Sequence, residues 1–296
     1  MKTNETIFAP SASVVAAIRQ QRASAGGDDG GASRAGGSML LVADPVFDSH
    51  DARMRGSKPA AAAAGAEELA SRALSFESAL SDVTERESAG GPPAGGGQGG
   101  GVLVRLVGTR EEAQQIARLA AASGRKADKW LDLEASEANI EDRDLRQYRV
   151  LHFATHGLLN AERPQFTGVV LSLVGNNETS DGFLRTDEIF NLRLSSPLVM
   201  LSACETGLGK EMRGEGVIGL TRAFMYAGAP AVGVSLWSVA DKSTAELMTD
   251  FYKNLLGKAG PPPTAAMRAA RLQMIANKKY SAPFYWAPFV LNGDWK

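Results

Sequence analysis

A chain of 296 residues, 44% hydrophobic and 22% charged, is long enough to bury about three quarters of its extended surface, which excludes a disulfide-stapled miniature. Its 32 Lys and Arg stand against 33 Asp and Glu, a net charge of −1, so no chain-wide positive field exists to hold nucleic acid or an anionic membrane. Any partner must be recognised locally.

One cysteine, Cys204, rules out an intramolecular disulfide, and with three histidines (His50, His152 and His156) a tetrahedral Cys/His zinc site is hard to assemble. No metal and no cofactor is expected. The opening Met1-Lys2-Thr3-Asn4-Glu5-Thr6 carries an acidic residue and no signal-length apolar stretch, and no run approaches the ~20 apolar residues that span a bilayer. The expectation is a reducing, cytoplasmic setting without export or anchoring.

In chain order, residues 1–37 read as an N-terminal arm with a Gly-rich linker, six glycines falling between positions 26 and 37. The remainder, 38–296, reads as one domain. Met39-Leu40-Leu41-Val42-Ala43 is the first strand candidate. Residues 55–101 then read as a disordered Ala/Gly-rich insertion with too few large apolar residues to offset its ordering entropy, apart from a weak helical stripe over 67–80. Thr109, with Glu112 three residues on, predicts the capped start of a helix over 110–122. Trp130-Leu131-Asp132-Leu133, Arg149-Val150-Leu151-His152-Phe153-Ala154 and Leu198-Val199-Met200-Leu201-Ser202 follow as strands. A helix from Val217 is closed by Gly228, and Ala231-Val232-Gly233-Val234-Ser235-Leu236-Trp237 gives another strand. Helices over 243–256 and 264–276 precede an aromatic terminal strand, Trp286-Ala287-Pro288-Phe289-Val290-Leu291. This alternation predicts an α/β fold, a central, mostly parallel sheet of about six strands with helices on both faces.

Two strand tips carry chemistry. Leu151-His152-Phe153-Ala154-Thr155-His156-Gly157 delivers an imidazole, and Leu201-Ser202-Ala203-Cys204-Glu205-Thr206-Gly207 a thiol. In an open parallel sheet ligands bind beyond the carboxyl ends of the strands, so neighbouring tips would bring His156 and Cys204 to one cleft. A thiolate is the nucleophile, a free thiol is mostly protonated at neutral pH, and an imidazole can take and return its proton. Acyl transfer from a peptide is the natural use.

The 48-residue spacing of His156 and Cys204 is close to that between the caspase histidine and its cysteine. His156-Gly157 after one hydrophobic block and Ala203-Cys204 after another resemble the paired signature of caspase-like cysteine peptidases. The wording is narrower still: Leu151 to Gly157, Asp181-Gly182-Phe183-Leu184, Ile189-Phe190-Asn191-Leu192, Leu201 to Gly207 and Gly214-Glu215-Gly216 closely resemble the CHAT family, as do Ala43-Asp44-Pro45-Val46-Phe47 and Tyr285-Trp286-Ala287-Pro288-Phe289-Val290. The resemblance implies a caspase-like three-layer domain over 38–296 and a cysteine endopeptidase. In it Cys204 attacks the carbonyl, His156 protonates the leaving amine, and backbone N–H groups at Gly157 and Cys204 stabilise the oxyanion. It also implies a protein or peptide substrate and regulation by tetratricopeptide repeats, in cis or in trans. Leu236-Trp237-Ser238-Val239-Ala240-Asp241-Lys242 is similar to the separase segment whose aspartate receives an arginine, making Asp241 the acidic contributor to substrate binding, with Glu205 and Asp187 as alternatives.

Plainer roles stand beside these. Free cysteine is often a small buried hydrophobe, and Asp241 could cap the following helix. Glu205 could order its loop. Strand alternation puts His152 with Val150 and Ala154, so it reads as a satisfied core histidine, and His50 reads as solvent-facing. At the level of function the alternatives are a catalytically silent interaction module and a different Cys/His acyl transferase.

Overall fold

Alternation along β1 (Ser38–Pro45) sorts the core into two layers. Leu40 and Val42 enter one apolar cluster, while Met39, Leu41 and Ala43 enter another. Every side chain of this strand after Ser38 is buried, as expected of a strand covered on both faces. The computed structural model describes residues 8, 16, 19, 20, 37–54, 103–158, 166–176, 179–202, 204–206, 213–237, 241–258 and 260–294, and for 204–206, 213–217 and 241 it describes the backbone. Most of the N-terminal arm, the insertion at 55–101 and the helical stripe at 67–80 lie outside these residues.

Next in the chain come α1 (Val107–Ala122), β2 (Ala127–Asp132) and α2 (Glu137–Asp142). The helix α1 begins at Val107, two residues before the expected cap. The Thr109 hydroxyl instead donates to Leu106 O at 2.7 Å and accepts from Asp44 N at 3.1 Å. β2 starts three residues earlier than its apolar run, because pairing with β1 from Met39↔Ala127 onward recruits polar residues at the sheet edge.

The central strands are β3 (Tyr148–Ala154), β7 (Leu198–Leu201) and β9 (Ala231–Ser235), and with the last strand, β10 (Phe289–Gly293), the sheet order is β10-β9-β7-β3-β1-β2. All neighbours are parallel except the terminal β10, which runs antiparallel to β9. Its outer edge bonds to Phe8 of the N-terminal arm, and Arg19 reaches Asp294 at 3.1 Å. The aromatic run before it is not strand: Phe284, Tyr285 and Trp286 lie in the short helix α7 (Pro283–Trp286). There Pro283 sits at the first position, where its missing N–H costs nothing.

Helices cover both faces. α1, α5 (Asp241–Leu255) and α6 (Pro263–Ala276) contribute Ile116, Phe251, Tyr252 and Met267 to the cluster that holds Leu41 and Met200. On the other face α2, α3 (Thr186–Asn191) and α4 (Arg213–Tyr226) contribute Ile140, Ile189 and Phe224 to the cluster that holds Phe153 and Leu201. Gly228 does end α4, with φ +113°, and a Cβ there would meet Leu194 O at 2.2 Å, so another residue would be strained and crowded.

Beyond the main sheet lies a second sheet that sequence periodicity did not reveal. It has the order β6-β5-β4-β8 and is built from β4 (His156–Leu158), β5 (Gly168–Val170), β6 (Phe183–Arg185) and β8 (Cys204–Thr206). Each strand has three residues, too few to display alternation. No described helix is long and apolar enough to cross a membrane.

Candidate active site

The site is made where two neighbouring strands leave the main sheet. β3 and β7 pair in parallel from Val150↔Leu198 to Phe153↔Leu201. After Ala154 the chain bends through Thr155, whose buried hydroxyl donates to Val170 O at 2.6 Å, and enters β4 at His156. After Leu201 it turns through Ser202, whose N–H donates to Phe153 O at 2.8 Å, and enters β8 at Cys204. In the second sheet β4 and β8 pair in parallel with His156 opposite Cys204 and Gly157 opposite Glu205. The two residues expected to share a cleft therefore occupy one rung of a ladder.

His156 is 5% exposed. Its Nε2 lies 2.7 Å from Val104 O, and a carbonyl only accepts, so Nε2 carries a hydrogen. Nδ1 is buried and has no hydrogen-bond partner among the described residues. In the neutral ring Nδ1 is then the basic nitrogen. The Phe47 ring packs against the imidazole at 5.2 Å between centroids, tilted by 54°. Burial pushes the His156 imidazole below its usual value, and the Val104 hydrogen bond offsets only part of that shift.

The remaining expected residues are distributed as follows. Gly157 is flanked on both sides, by Val169 of β5 and Glu205 of β8. Asp241 is the first residue of α5, so its backbone belongs to that helix. Asp187 sits exposed in the first turn of α3, its carbonyl accepting from Asn191. The side chains of Cys204, Glu205 and Asp241 lie outside the description.

His152 is the core histidine its alternation predicts. It is fully buried, with Nε2 2.8 Å from Glu112 Oε1 and Nδ1 3.1 Å from Tyr252 Oη. Glu112 thus serves this core network and not a capping box. His50 is exposed and pairs with Asp48 at 2.9 Å.

Two features had no sequence signal. Val104 reaches His156 through a backbone carbonyl, which residue identity does not encode. On the far side of the second sheet the carboxylate oxygens of Glu137, Glu141 and Glu188 lie within 4.8 Å of one another, spacing that could hold a cation. Burial, with the charges of Glu188 and Asp181, pushes Glu137 up to about 8, while Gly182 N, donating to its Oε2 at 2.6 Å, acts in the opposite direction.

A mostly parallel α/β sandwich whose two central strand tips pair an imidazole residue with a cysteine residue defines the class of this protein. The chain belongs to the CHAT family: the CHAT domain model matches residues 2–294. Over 111 residues it is 36% identical to tetratricopeptide repeat protein 28 of Mus musculus and of Homo sapiens, a stretch that spans 38% of this chain and 4% of those proteins. Among solved structures it is similar to the Arg-specific cysteine proteinase gingipain R, with TM-score 0.44 and 16% identity over 70% of this chain and 44% of that one. It is also similar to the Saccharomyces cerevisiae separase–securin complex, with TM-score 0.37 and 15% identity over 60% of this chain and 11% of that one.

Proposed function

We propose that the chain is a caspase-like cysteine endopeptidase that cleaves a protein partner through His156 and Cys204. The observation that carries this reading is the β4–β8 rung on which these two residues are partners. The Nε2–H bond to Val104 adds support, because it leaves Nδ1 as the nitrogen able to accept a proton.

In this mechanism the Cys204 thiol gives its proton to the imidazole and its sulfur forms a bond to the scissile carbonyl carbon. The developing oxyanion is met by backbone N–H groups at Gly157 and Cys204. When the C–N bond breaks, His156 returns the proton to the departing amine, and water then cleaves the acyl-enzyme to a carboxylic acid and the free thiol. Asp241, with Glu205 and Asp187 as alternatives, supplies the negative charge that selects a basic residue before the scissile bond. The family and the name of the tetratricopeptide-repeat relative support regulation by such a module, in cis or in trans. A reducing compartment, the cytoplasm, keeps Cys204 a thiol.

The test is labelling with a peptidyl electrophile followed by peptide mapping. Modification at Cys204, abolished in Cys204→Ala and sharply slowed in His156→Ala, supports the peptidase. A wild-type chain that stays unreactive even with a tetratricopeptide-repeat partner supplied overturns it in favour of a silent interaction module. Transfer to an amine acceptor without cleaved products would instead indicate an acyl transferase.

A further inference from the structure

The carbonyl that fixes His156 belongs to a residue whose own side chain is exposed, although Leu103 before it packs against the apolar cluster of Leu158, Val170 and Phe183. Val104 is 73% exposed, so packing of its own side chain does not place its backbone. It precedes α1 in a stretch, 103–106, that belongs to no helix or strand. Its neighbour Arg105, however, makes a two-pronged contact with Asp44, Nε to Oδ1 at 2.8 Å and Nη2 to Oδ2 at 2.6 Å. Paired donors of this kind fix orientation as well as distance.

Asp44 is itself immobilised. It is 1% exposed at the end of β1, and its carboxylate also takes Arg110 Nε at 2.6 Å and lies 3.2 Å from Arg53 Nη1. Its N–H donates to Thr109 and its carbonyl accepts from Arg53 at 2.8 Å. Arg53 and Arg110 have further partners in Asp51 and Asp132, whereas the hydrogen bonds of the Arg105 side chain among the described residues go to Asp44. Three residues beyond Asp44 the same segment brings Phe47 to the His156 ring.

We infer that Asp44 and Arg105 are a positioning pair for His156: by anchoring the 103–106 stretch they hold the Val104 carbonyl on Nε2, and so decide which ring nitrogen carries the proton. Neither residue touches the reacting atoms. The structural half of this inference stands without the peptidase reading, and only its kinetic half rests on it.

The experiment uses the full chain with ¹⁵N-labelled histidine, His156 being identified by its absence in His156→Gln. In the wild type, imidazole nitrogen shifts report the Nε2–H form, slow to exchange with water. Arg105→Ala is expected to give a mixture of tautomers and faster exchange, with Arg105→Lys restoring part of the wild-type signal. Arg110→Gln removes a comparable bond to Asp44 from a residue not adjacent to Val104, and should leave the His156 signals unchanged. On a peptide substrate Arg105→Ala should lower kcat by about 10- to 100-fold with KM unaltered, the effect of misplacing a group that moves a proton. Unchanged His156 signals in Arg105→Ala, or equal disturbance by Arg110→Gln, overturns the inference. Loss of the tautomer in Arg105→Ala alongside a wild type without peptidase activity upholds the positioning pair and overturns the peptidase.

Discussion

His156 and Cys204 are register partners in the β4–β8 pair, and their separation of 48 positions is the register offset of the whole strand pair. The same offset relates Val150 to Leu198 and Phe153 to Leu201 in the main sheet. Each strand advances three residues from its last rung there to the first rung of the small sheet, so the offset survives the crossing. A one-residue slip in either turn would present a different neighbour to His156. Inserting one glycine between Ala154 and Thr155 is therefore expected to slow electrophile labelling of Cys204 by about 100-fold, since an ångström-scale misplacement has that effect. A matching insertion after Ser202 should recover part of the rate. Far-ultraviolet dichroism checks that both variants fold, and labelling that ignores the single insertion would refute the register argument.

Burial of His156 predicts a pH dependence of stability. Its folded-state value lies below the usual one, so the unfolded chain binds the proton more readily. The stability it contributes is full above about pH 6.5 and is lost as pH falls through the depressed value, with a slope of up to about 1.4 kcal/mol per pH unit. Denaturant unfolding at pH 7.5 and 5.5 measures this. His156→Gln, which cannot charge, should lose less over the same interval, and an identical loss in the variant would remove His156 as the cause.

Sequence made the central strands legible because each is an apolar run buried on both faces, as Leu198 to Leu201 shows. β2 was legible only in part: at the sheet edge just Trp130 of its six residues is buried, so the polar start carries no apolar signal. His156 and Cys204 stood out through their flanking hydrophobic blocks. What orients His156 did not, because Val104 acts through its main chain from 52 residues away and Asp44 meets Arg105 and Arg110 across 61 and 66 residues. Glu112 misled for the opposite reason: its local spacing from Thr109 imitates a helix start, while its actual partner, His152, lies 40 residues on.

The Glu112–His152–Tyr252 network predicts a stability effect separate from chemistry. All three side chains are buried, and burial holds the Tyr252 phenol well above its usual value, in the neutral form. Glu112→Ala strands the imidazole without its Nε2 partner and should cost about 3 kcal/mol, the scale seen when one member of a buried pair is removed. Labelling of Cys204, corrected for the folded fraction, should be unchanged, since the network lies in the layer of α1 and α5. A stability loss below about 0.5 kcal/mol would show that the network contributes little.

Glu137 predicts the opposite pH trend. Its folded value is raised to about 8, so the stability it contributes is present below about pH 4.5 and is lost as pH rises through 8. Glu137→Gln keeps an oxygen for the Gly182 N–H while removing the titration. The variant should show a flatter stability profile between pH 5 and 8 and exceed the wild type at pH 9. Equal profiles would mean that Glu137 ionises in the folded chain as it does in the unfolded one.

Substrate preference tests the acidic residue at the head of α5. A carboxylate that receives a substrate guanidinium away from water discriminates strongly, because a neutral side chain in its place leaves the charge unpaired. If Asp241 fills that role, mapping of new N-termini in a proteome exposed to the wild type, with Cys204→Ala as background, should return cuts after arginine or lysine. Asp241→Asn should then lower kcat/KM on an arginine peptide by about 100-fold while changing a leucine peptide less than threefold, a loss of about 2.7 kcal/mol confined to the cationic substrate. Parallel losses on both peptides would instead make Asp241 a structural residue of the helix start. Wild-type cuts after leucine or methionine would remove the acidic pocket altogether and leave recognition to apolar contacts.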